Sequence, residues 1–170
     1  GARGITLATI GEAEVFVEAG NDDIFLAYPL WLTLRKAARL QALAPRARMG
    51  MGVDSVAGIQ QAAKTLGTTT IEFMIEVDSG HHRSGIDPHQ VVPLAQALAD
   101  HDLALRGVFT YPGHSYQPDT KDDASQDEVT ALTIATSALE SAGFEVLERS
   151  GGSTPSLHST QSFLTETRAG

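Results

Sequence analysis

The sequence contains no cysteine, few basic residues and no long apolar segment. Without cysteine, neither a disulfide framework nor a thiolate metal site can form, and we assign no metal ligand to these residues. Asp and Glu (21) outnumber Lys and Arg (12), and the net charge of −9 argues against nucleic acid and anionic membrane surfaces as partners. No apolar run approaches the roughly 20 residues of a membrane span. No basic segment followed by an apolar one marks a signal peptide, so a cytoplasmic location is expected.

The rest of the composition is that of a soluble globular protein. Hydrophobic residues make up 42% and charged residues 19% of the chain, which is not the balance of a disordered sequence. The 170 residues fit one domain, 1–170, that can bury a sizeable core. The chain starts without Met and reaches a strand within a few residues, so we expect it to be excised from a longer protein.

Apolar residues alternate along the chain between strand and helix patterns. Thr9 and Glu12 have the spacing of a capping box, which predicts a helix from there to Gly20. Asp54 or Ser55 is expected to cap a later helix. The predicted strands are 5–10, 23–28, 47–53, 71–77, 103–111, 144–149 and 164–168, and the other predicted helices are 34–43, 55–66, 88–99 and 122–142.

This alternation, with one unit every 25 to 35 residues or so, predicts parallel βαβ units. An open doubly wound sheet and a closed barrel both fit the pattern. Polar clusters follow three of the predicted strands, at Asp78 to Arg83, Tyr111 to His114 and Ser150 to Thr154. Catalytic groups of barrels gather at the carboxyl ends of the strands, so the clusters favour a (β/α)8 TIM-type barrel.

The segment SGGSTP, which begins at Ser150, is one candidate binding loop. Its glycines let the backbone approach a ligand, and its amides and hydroxyls can hold a phosphate. The alternative is an ordinary turn between strand and helix in which Ser153 or Thr154 caps the helix.

The segment VDSGHHRSGID, which begins at Val77, is a second candidate. Asp78 and Arg83 can pair with each other, or Arg83 can bind an anionic oxygen of a cofactor or substrate. His81 and His82 are adjacent and have no third ligand at metal spacing, so a solvated loop is favoured over a metal site.

Aromatic and titratable side chains form the third candidate group. Tyr111 ends a predicted strand, where it can donate a proton or stack against a ring, and a histidine such as His114 ordinarily titrates near neutrality. Packing at the rim is the alternative for both. Phe25, Tyr28 and Trp31 are interpreted as core and rim packing.

Taken together, these motifs resemble a known family. The segments GITLATIGEAEVFVEAGNDDIFLAYPL, VDSGHHRSGI, GVFTYPGHSY, SGGSTPSLHS and ETRAG are similar, in the same order, to the N-terminal barrel of the D-threonine aldolase and D-serine dehydratase group. That group has the alanine racemase type of pyridoxal phosphate fold. The resemblance covers nearly the whole chain and implies a lyase that acts on D-amino acids.

The resemblance also implies roles for individual residues. Arg83 matches the arginine that contacts the phenolic oxygen of pyridoxal phosphate, and Tyr111 matches a tyrosine beside the cofactor ring. Gly152, Ser153 and Thr154 match the phosphate-binding loop.

The last residues match a further part of the family's cofactor site. Arg168 and Gly170 match an R-x-G segment whose backbone also reaches the phosphate.

Two parts of the family pattern have no counterpart in the chain. The lysine that binds the cofactor covalently lies on the family's first barrel strand, and Lys36, Lys64 and Lys121 do not match it. The second domain, which binds a divalent metal and completes the substrate pocket, has no match either. We therefore expect an incomplete barrel without its first strand, inactive by itself and part of a homodimer when full length. The alternatives are a single-domain pyridoxal phosphate carrier, an alanine-racemase-type racemase, and a cofactor-free barrel that binds another phosphorylated metabolite.

Overall fold

The computed structural model describes residues 2–159 and 163–168, which form one parallel sheet with helices between successive strands. The strands lie in the sheet in chain order, each hydrogen-bonded to the next. The strands are β1 (Ile5–Leu7), β2 (Asp23–Leu26), β3 (Arg48–Val53), β4 (Glu72–Glu76), β5 (Ala104–Phe109), β6 (Glu148–Gly151) and β7 (Glu166–Thr167). The helices are α1 (Ile10–Glu18), α2 (Leu34–Leu43), α3 (Val56–Leu66), α4 (Val91–Asp100) and α5 (Lys121–Ser141). Short 3-10 helices span Pro88–Gln90, Gly113–Tyr116 and Thr154–Ser159.

The strand order distinguishes the two predicted architectures. A doubly wound sheet reverses its order at a switch point, whereas here β1 to β7 succeed one another without reversal. The sheet is therefore of the predicted TIM-barrel type and carries seven strands. Within the described residues no ladder joins β7 to β1, and the barrel is open between these two edges.

Helix boundaries follow the predicted signals. Thr9 and Glu12 form the capping box of α1, since the Thr9 hydroxyl accepts from the Glu12 amide while the Glu12 carboxylate accepts from the Thr9 amide at 2.8 Å. Ser55, rather than Asp54, caps α3. Gly20 and Gly67 follow α1 and α3 with φ of 93° and 60°, a conformation that favours glycine. None of the helices in the described ranges is long and apolar enough to cross a membrane.

The predicted strand 144–149 is displaced, and the structure places β6 at Glu148–Gly151 instead. The amide of Phe144 still bonds to the Leu139 carbonyl and so belongs to the end of α5. Pairing with β5 starts only where the Leu147 amide reaches the Arg106 carbonyl. The first residue of the predicted strand thus belongs to the C-terminal end of α5, which the pattern of apolar residues alone does not reveal.

The alternation of side chains along the strands separates two apolar layers. One face of the sheet packs against the helices in a core that includes Ile24, Phe73 and Ile75. The other face lines the inside of the curved sheet, where Phe25, Met74 and Phe109 form a separate cluster. Phe25 and Phe109 meet edge to face, with ring centroids 5.0 Å apart. The strands therefore have an inner layer of their own, as barrel strands do.

Below this inner aromatic layer, at the amino ends of the strands, lies a layer of charged residues. Arg106 is only 3% exposed, and its Nε lies 2.5 Å from Glu148 Oε2. Its Nη1 lies 3.8 Å from Asp23 and 3.9 Å from Glu72, and Arg48 bonds to Glu72 at 2.7 Å. A cavity of about 690 Å³ opens at this end, between β1 and β7. The base of the barrel thus holds two arginines among three carboxylates, whereas the polar clusters predicted from the sequence follow the strands at the opposite rim.

Candidate functional site

The three polar clusters predicted from the sequence lie side by side at the carboxyl ends of β4, β5 and β6. Buried hydroxyls join the loops: Thr110 donates to Ser79 at 2.8 Å, and Ser115 and Ser153 share a hydrogen bond of 2.8 Å. Ser153 is also bonded to Ser156 at 2.9 Å. Each loop is thus held to its neighbour by buried hydroxyl groups.

Arg83 reaches over this rim from the loop after β4. Its guanidinium carbon lies 4.6 Å from the centroid of the Tyr111 ring, a cation–π distance. One of its nitrogens lies 3.8 Å from Glu76 Oε1, an ion pair too long for a hydrogen bond. The structure therefore brings Arg83 and Tyr111, two of the predicted site residues, into contact.

Asp78 does not form the pair with Arg83 that the sequence suggested as one alternative. Its carboxylate accepts from the Gly80 and His82 amides and lies 2.7 Å from His82 Nδ1. Burial alone would raise the pKa of Asp78, but these hydrogen bonds outweigh it and lower the pKa. Asp78 shapes the loop, whose tight turn brings its own backbone amides to the carboxylate, and Arg83 is left to point at the rim.

Glu76, at the end of β4, is a buried carboxylate at the centre of the rim. It is 2% exposed, and its Oε1 accepts from the Ser84 hydroxyl at 2.9 Å. Its Oε2 is buried and has no hydrogen-bond partner among the described residues. Burial raises the pKa of Glu76, partly offset by Ser84 and by the charges of Arg83 and Arg168.

Tyr111 stands in a partly enclosed setting. Its ring packs edge-on against His81, with centroids 5.5 Å apart. Burial and the neighbouring Tyr116 raise the pKa of Tyr111 above its ordinary value of 10.0, against the opposing effect of Arg83. Burial and the Arg83 charge lower the pKa of His81. At neutral pH the rim thus offers a protonated phenol and a neutral imidazole.

In the predicted phosphate loop, two backbone amides already donate hydrogen bonds to side chains of the protein. The Gly152 amide donates to Glu128 Oε1 at 2.5 Å, and the Ser153 amide donates to the Ser156 hydroxyl at 3.0 Å. Thr154 is exposed and begins a 3-10 helix. A ligand that binds the Gly152 or Ser153 amide has to displace one of these acceptors.

Arg168 lies on the same inner side of the sheet, and Gly170 lies outside the described residues. The Arg168 guanidinium donates to the carbonyl of Thr110 and lies 5.4 Å from the centroid of the Phe109 ring. Burial lowers the pKa of Arg168, but an arginine stays charged at any working pH. Arg168 links the end of β5 to the last described strand, next to the rim rather than on it.

The sequence prediction missed two carboxylates, Glu76 and Glu128. Glu76 carries a weak signal, since it is the one acid within the apolar segment FMIEV of a strand. Glu128 carries none, because one more Glu on a helix with acidic residues in its first turn reads as a solvated position. The tertiary fold brings it against Gly152, where it is 2% exposed.

Glu128 gives a test of this geometry through the pH dependence of stability. Burial raises the pKa of Glu128 above its ordinary 4.5, so the folded state holds its proton more tightly than the unfolded state. The wild type should therefore lose stability, relative to Glu128→Gln, as the pH rises from below 4.5 through the folded pKa. Each unit of raised pKa corresponds to about 1.4 kcal/mol. Urea unfolding of both proteins between pH 4 and 8 measures the difference. A difference that is constant across that range would contradict the buried setting of Glu128.

The histidines of the rim loops contact other side chains of the protein. No group of three or more His, Asp or Glu side chains is placed to hold an ion, within residues 2–159 and 163–168. His82 contacts the Asp78 carboxylate, whereas His81 packs against the Tyr111 ring. His114 bonds through Nε2 to Asp127 at 3.2 Å.

Comparison with known proteins agrees with this arrangement. The family model of the alanine racemase N-terminal domain matches residues 1–170. A D-threo-3-hydroxyaspartate dehydratase of Delftia sp. is 35% identical over 184 residues, covering 100% of this chain and 47% of that protein. A protein named only as uncharacterized, from Mycobacterium tuberculosis, is 48% identical over 151 residues, 88% of each chain. The crystal structure of D-threonine aldolase from Filomicrobium marinum superposes with a TM-score of 0.89 at 27% identity, over 100% of this chain and 48% of that one.

The chain therefore spans about half the length of the dehydratase and the aldolase that it matches. The structure of the D-threo-3-hydroxyaspartate dehydratase from Delftia sp. HT23 also superposes on this chain, with a TM-score of 0.88 at 32% identity, over 100% of this chain and 47% of that one. The chain belongs to the family of the alanine racemase N-terminal domain.

Proposed function

We propose that this chain is the pyridoxal phosphate-binding barrel of a lyase that acts on D-3-hydroxy amino acids, by aldol cleavage or by dehydration. One observation carries the proposal: Arg83 is held against Tyr111, beside the buried Glu76, at the carboxyl rim of a barrel. Relatives named D-threo-3-hydroxyaspartate dehydratase and D-threonine aldolase support the substrate class. Aldolase, dehydratase and racemase remain distinct outcomes of the assay below.

The rim suits an aromatic, phosphorylated aldehyde for identifiable reasons. When a guanidinium stacks with its face on an aromatic ring, its N–H groups remain able to donate to a phenolate oxygen. The guanidinium also stays charged in a desolvated pocket, where a lysine can lose its proton. Tyr111 presents an aromatic surface and a protonated hydroxyl. Glu76 Oε2, which is buried without a partner among the described residues, can accept a hydrogen bond from a bound group.

We assign the phosphate to the loop of Gly152, Ser153 and Thr154, and the backbone of Arg168 lies beside Gly152. The Gly152 φ of 93° favours glycine, and a Cβ there would lie 2.9 Å from Thr167 Cγ2, so the loop packs closely against β7. Because Glu128 and the Ser156 hydroxyl accept from the Gly152 and Ser153 amides, a phosphate that binds these amides has to displace at least one of these acceptors.

Pyridoxal phosphate, when bound, supplies an electron sink for the bond that breaks at the α-carbon. The residues of this chain bind and orient it. Arg83 holds the negative charge of the ring oxygen, Tyr111 limits the movement of the ring, and Glu76 keeps Arg83 over the rim through its charge. The chain's lysines lie outside the inner layer, Lys36 on α2, Lys64 on α3 and Lys121 at the start of α5. We place the lysine of the family pattern on a strand between β7 and β1.

Equilibrium dialysis of the full-length natural protein against pyridoxal phosphate, followed by assays with D-threonine, D-3-hydroxyaspartate and D-serine, tests the proposal. We expect saturable binding and turnover of at least one of these substrates, with the product identifying aldolase or dehydratase. Saturable binding with no turnover would favour the carrier alternative, and racemisation of alanine would favour the racemase. An absence of cofactor binding would reject the proposal.

A further inference from the structure

Arg83 has a second aromatic neighbour, Tyr28, for which the sequence predicts only a packing role in the core or at the rim. Tyr28 lies in the loop after β2, and its ring centroid is 5.7 Å from the Arg83 guanidinium carbon. Tyr111 lies in the loop after β5, at 4.6 Å from the same carbon. Loops from two strands that are not neighbours in the sheet thus converge on one side chain from the loop after β4.

Strand β3, one of the two strands between β2 and β5, makes this convergence possible. A Cβ at Gly52 would lie 2.7 Å from the Phe109 ring and 3.4 Å from the Tyr28 backbone. Because Gly52 has no side chain, the end of β2 approaches β5 across the inner face of β3. The close approach of the Tyr28 backbone to Gly52 therefore fixes the position of Tyr28 relative to the barrel.

Tyr28 is too exposed to serve mainly as a core residue. Its exposed fraction is 42%, against 0% for Leu26 and Phe109, the last residues of β2 and β5. A long arginine side chain loses rotational freedom when it is fixed in one position. Aromatic rings near a guanidinium restrict that rotation while leaving its N–H edge to bind a ligand.

We propose that Tyr28 is a positioning residue that, together with Tyr111, orients the Arg83 guanidinium toward the phenolic oxygen of pyridoxal phosphate. The inference rests on the proposed function. Tyr28 acts through Arg83 and does not itself take part in the chemistry. Its contribution appears only when the ligand has the oxygen that Arg83 binds.

The test compares Tyr28→Leu with two other variants of the full-length natural protein. Tyr28→Phe keeps the ring, and Trp31→Leu removes a neighbouring aromatic residue that is 57% exposed. Equilibrium dialysis measures the dissociation constant of each protein for pyridoxal phosphate and for its 3-O-methyl ether, in which the phenolate is blocked. We expect Tyr28→Leu to bind pyridoxal phosphate about three- to tenfold more weakly. Tyr28→Phe and Trp31→Leu should stay within about twofold of the wild type, and Tyr28→Leu should bind the ether as the wild type does.

A double-mutant cycle with Arg83→Ala completes the test. In the Arg83→Ala background, Tyr28→Leu should have no further effect on affinity. Equal weakening for both ligands, or a full effect of Tyr28→Leu without Arg83, would show that Tyr28 acts through general packing and would overturn the inference. If the wild type binds and Tyr28→Leu binds equally well, the inference fails and the proposed function stands. If the wild type does not bind pyridoxal phosphate, both fail.

Discussion

Replacing Arg83 with alanine should weaken the binding of pyridoxal phosphate about tenfold, and at most a hundredfold, with little loss of stability. The change removes one charge-assisted hydrogen bond to the ring oxygen, which contributes roughly 1.5–3 kcal/mol. The lower half of that range is expected because the Arg83 side chain is 40% exposed and water partly replaces its contacts. Equilibrium dialysis and thermal unfolding of the same samples measure both quantities.

The control for Arg83 is Arg39→Ala, which removes an exposed arginine paired with Glu14 between α2 and α1. This variant should keep the cofactor affinity of the wild type. If Arg83→Ala lowered the melting temperature and left the affinity and turnover unchanged, Arg83 would serve only to pin its loop, and its role in cofactor binding would be rejected.

Replacing Arg106 with alanine should lower the free energy of unfolding by about 3–5 kcal/mol, the usual result of removing one partner from a buried ion pair. Arg106 is 3% exposed and 2.5 Å from Glu148, whose side chain is 19% exposed. Without Arg106, the carboxylates of Glu148, Asp23 and Glu72 would lose the buried cation that they share at the base of the barrel. Urea unfolding at pH 7 measures the loss.

Arg46→Ala is the matched control, because Arg46 also pairs with a glutamate, at 2.9 Å, but at the surface. Its side chain is 50% exposed and that of Glu18 is 78% exposed, so the expected loss is below about 1 kcal/mol. Equal losses for Arg46→Ala and Arg106→Ala would mean that the charged layer is solvated and does not close the base of the barrel.

Local rules account for most of the helix boundaries. The capping box of Thr9 and Glu12, the Ser55 cap and the glycines after α1 and α3 are each read within a few residues, and the structure contains all of them. The barrel-type order follows from the even alternation of strands and helices together with polar clusters at three strand ends. These features depend on short stretches of chain, which is why one sequence suffices to predict them.

The residues that complete the site depend on distant parts of the chain. Glu128 meets Gly152 across 24 positions, and Tyr28 meets Arg83 across 55 positions; neither spacing leaves a trace in the local pattern. The hypothesis that Asp78 pairs with Arg83 failed for a local reason instead. Two opposite charges five residues apart suggested a pair, but a tight turn gave the carboxylate nearer partners in the Gly80 and His82 amides.

The division of the barrel into a charged base and a functional rim has a physical reason. At the base, two arginines lie within 4 Å of three carboxylates, those of Asp23, Glu72 and Glu148. At the rim, Arg83 lies against the Tyr111 ring, and its nearest contact to Glu76 is 3.8 Å, too long for a hydrogen bond. We therefore expect an anionic ligand at the rim, where the Arg83 guanidinium can donate to it, rather than at the base.

The position of bound pyridoxal phosphate in a crystal structure of the full-length natural protein tests this account most directly. We predict that its ring oxygen lies within hydrogen-bonding distance of Arg83 and its phosphate beside the loop of Gly152, Ser153 and Thr154. A cofactor bound instead at the amino ends of the strands, in the cavity beside Arg48 and Arg106, would contradict the account.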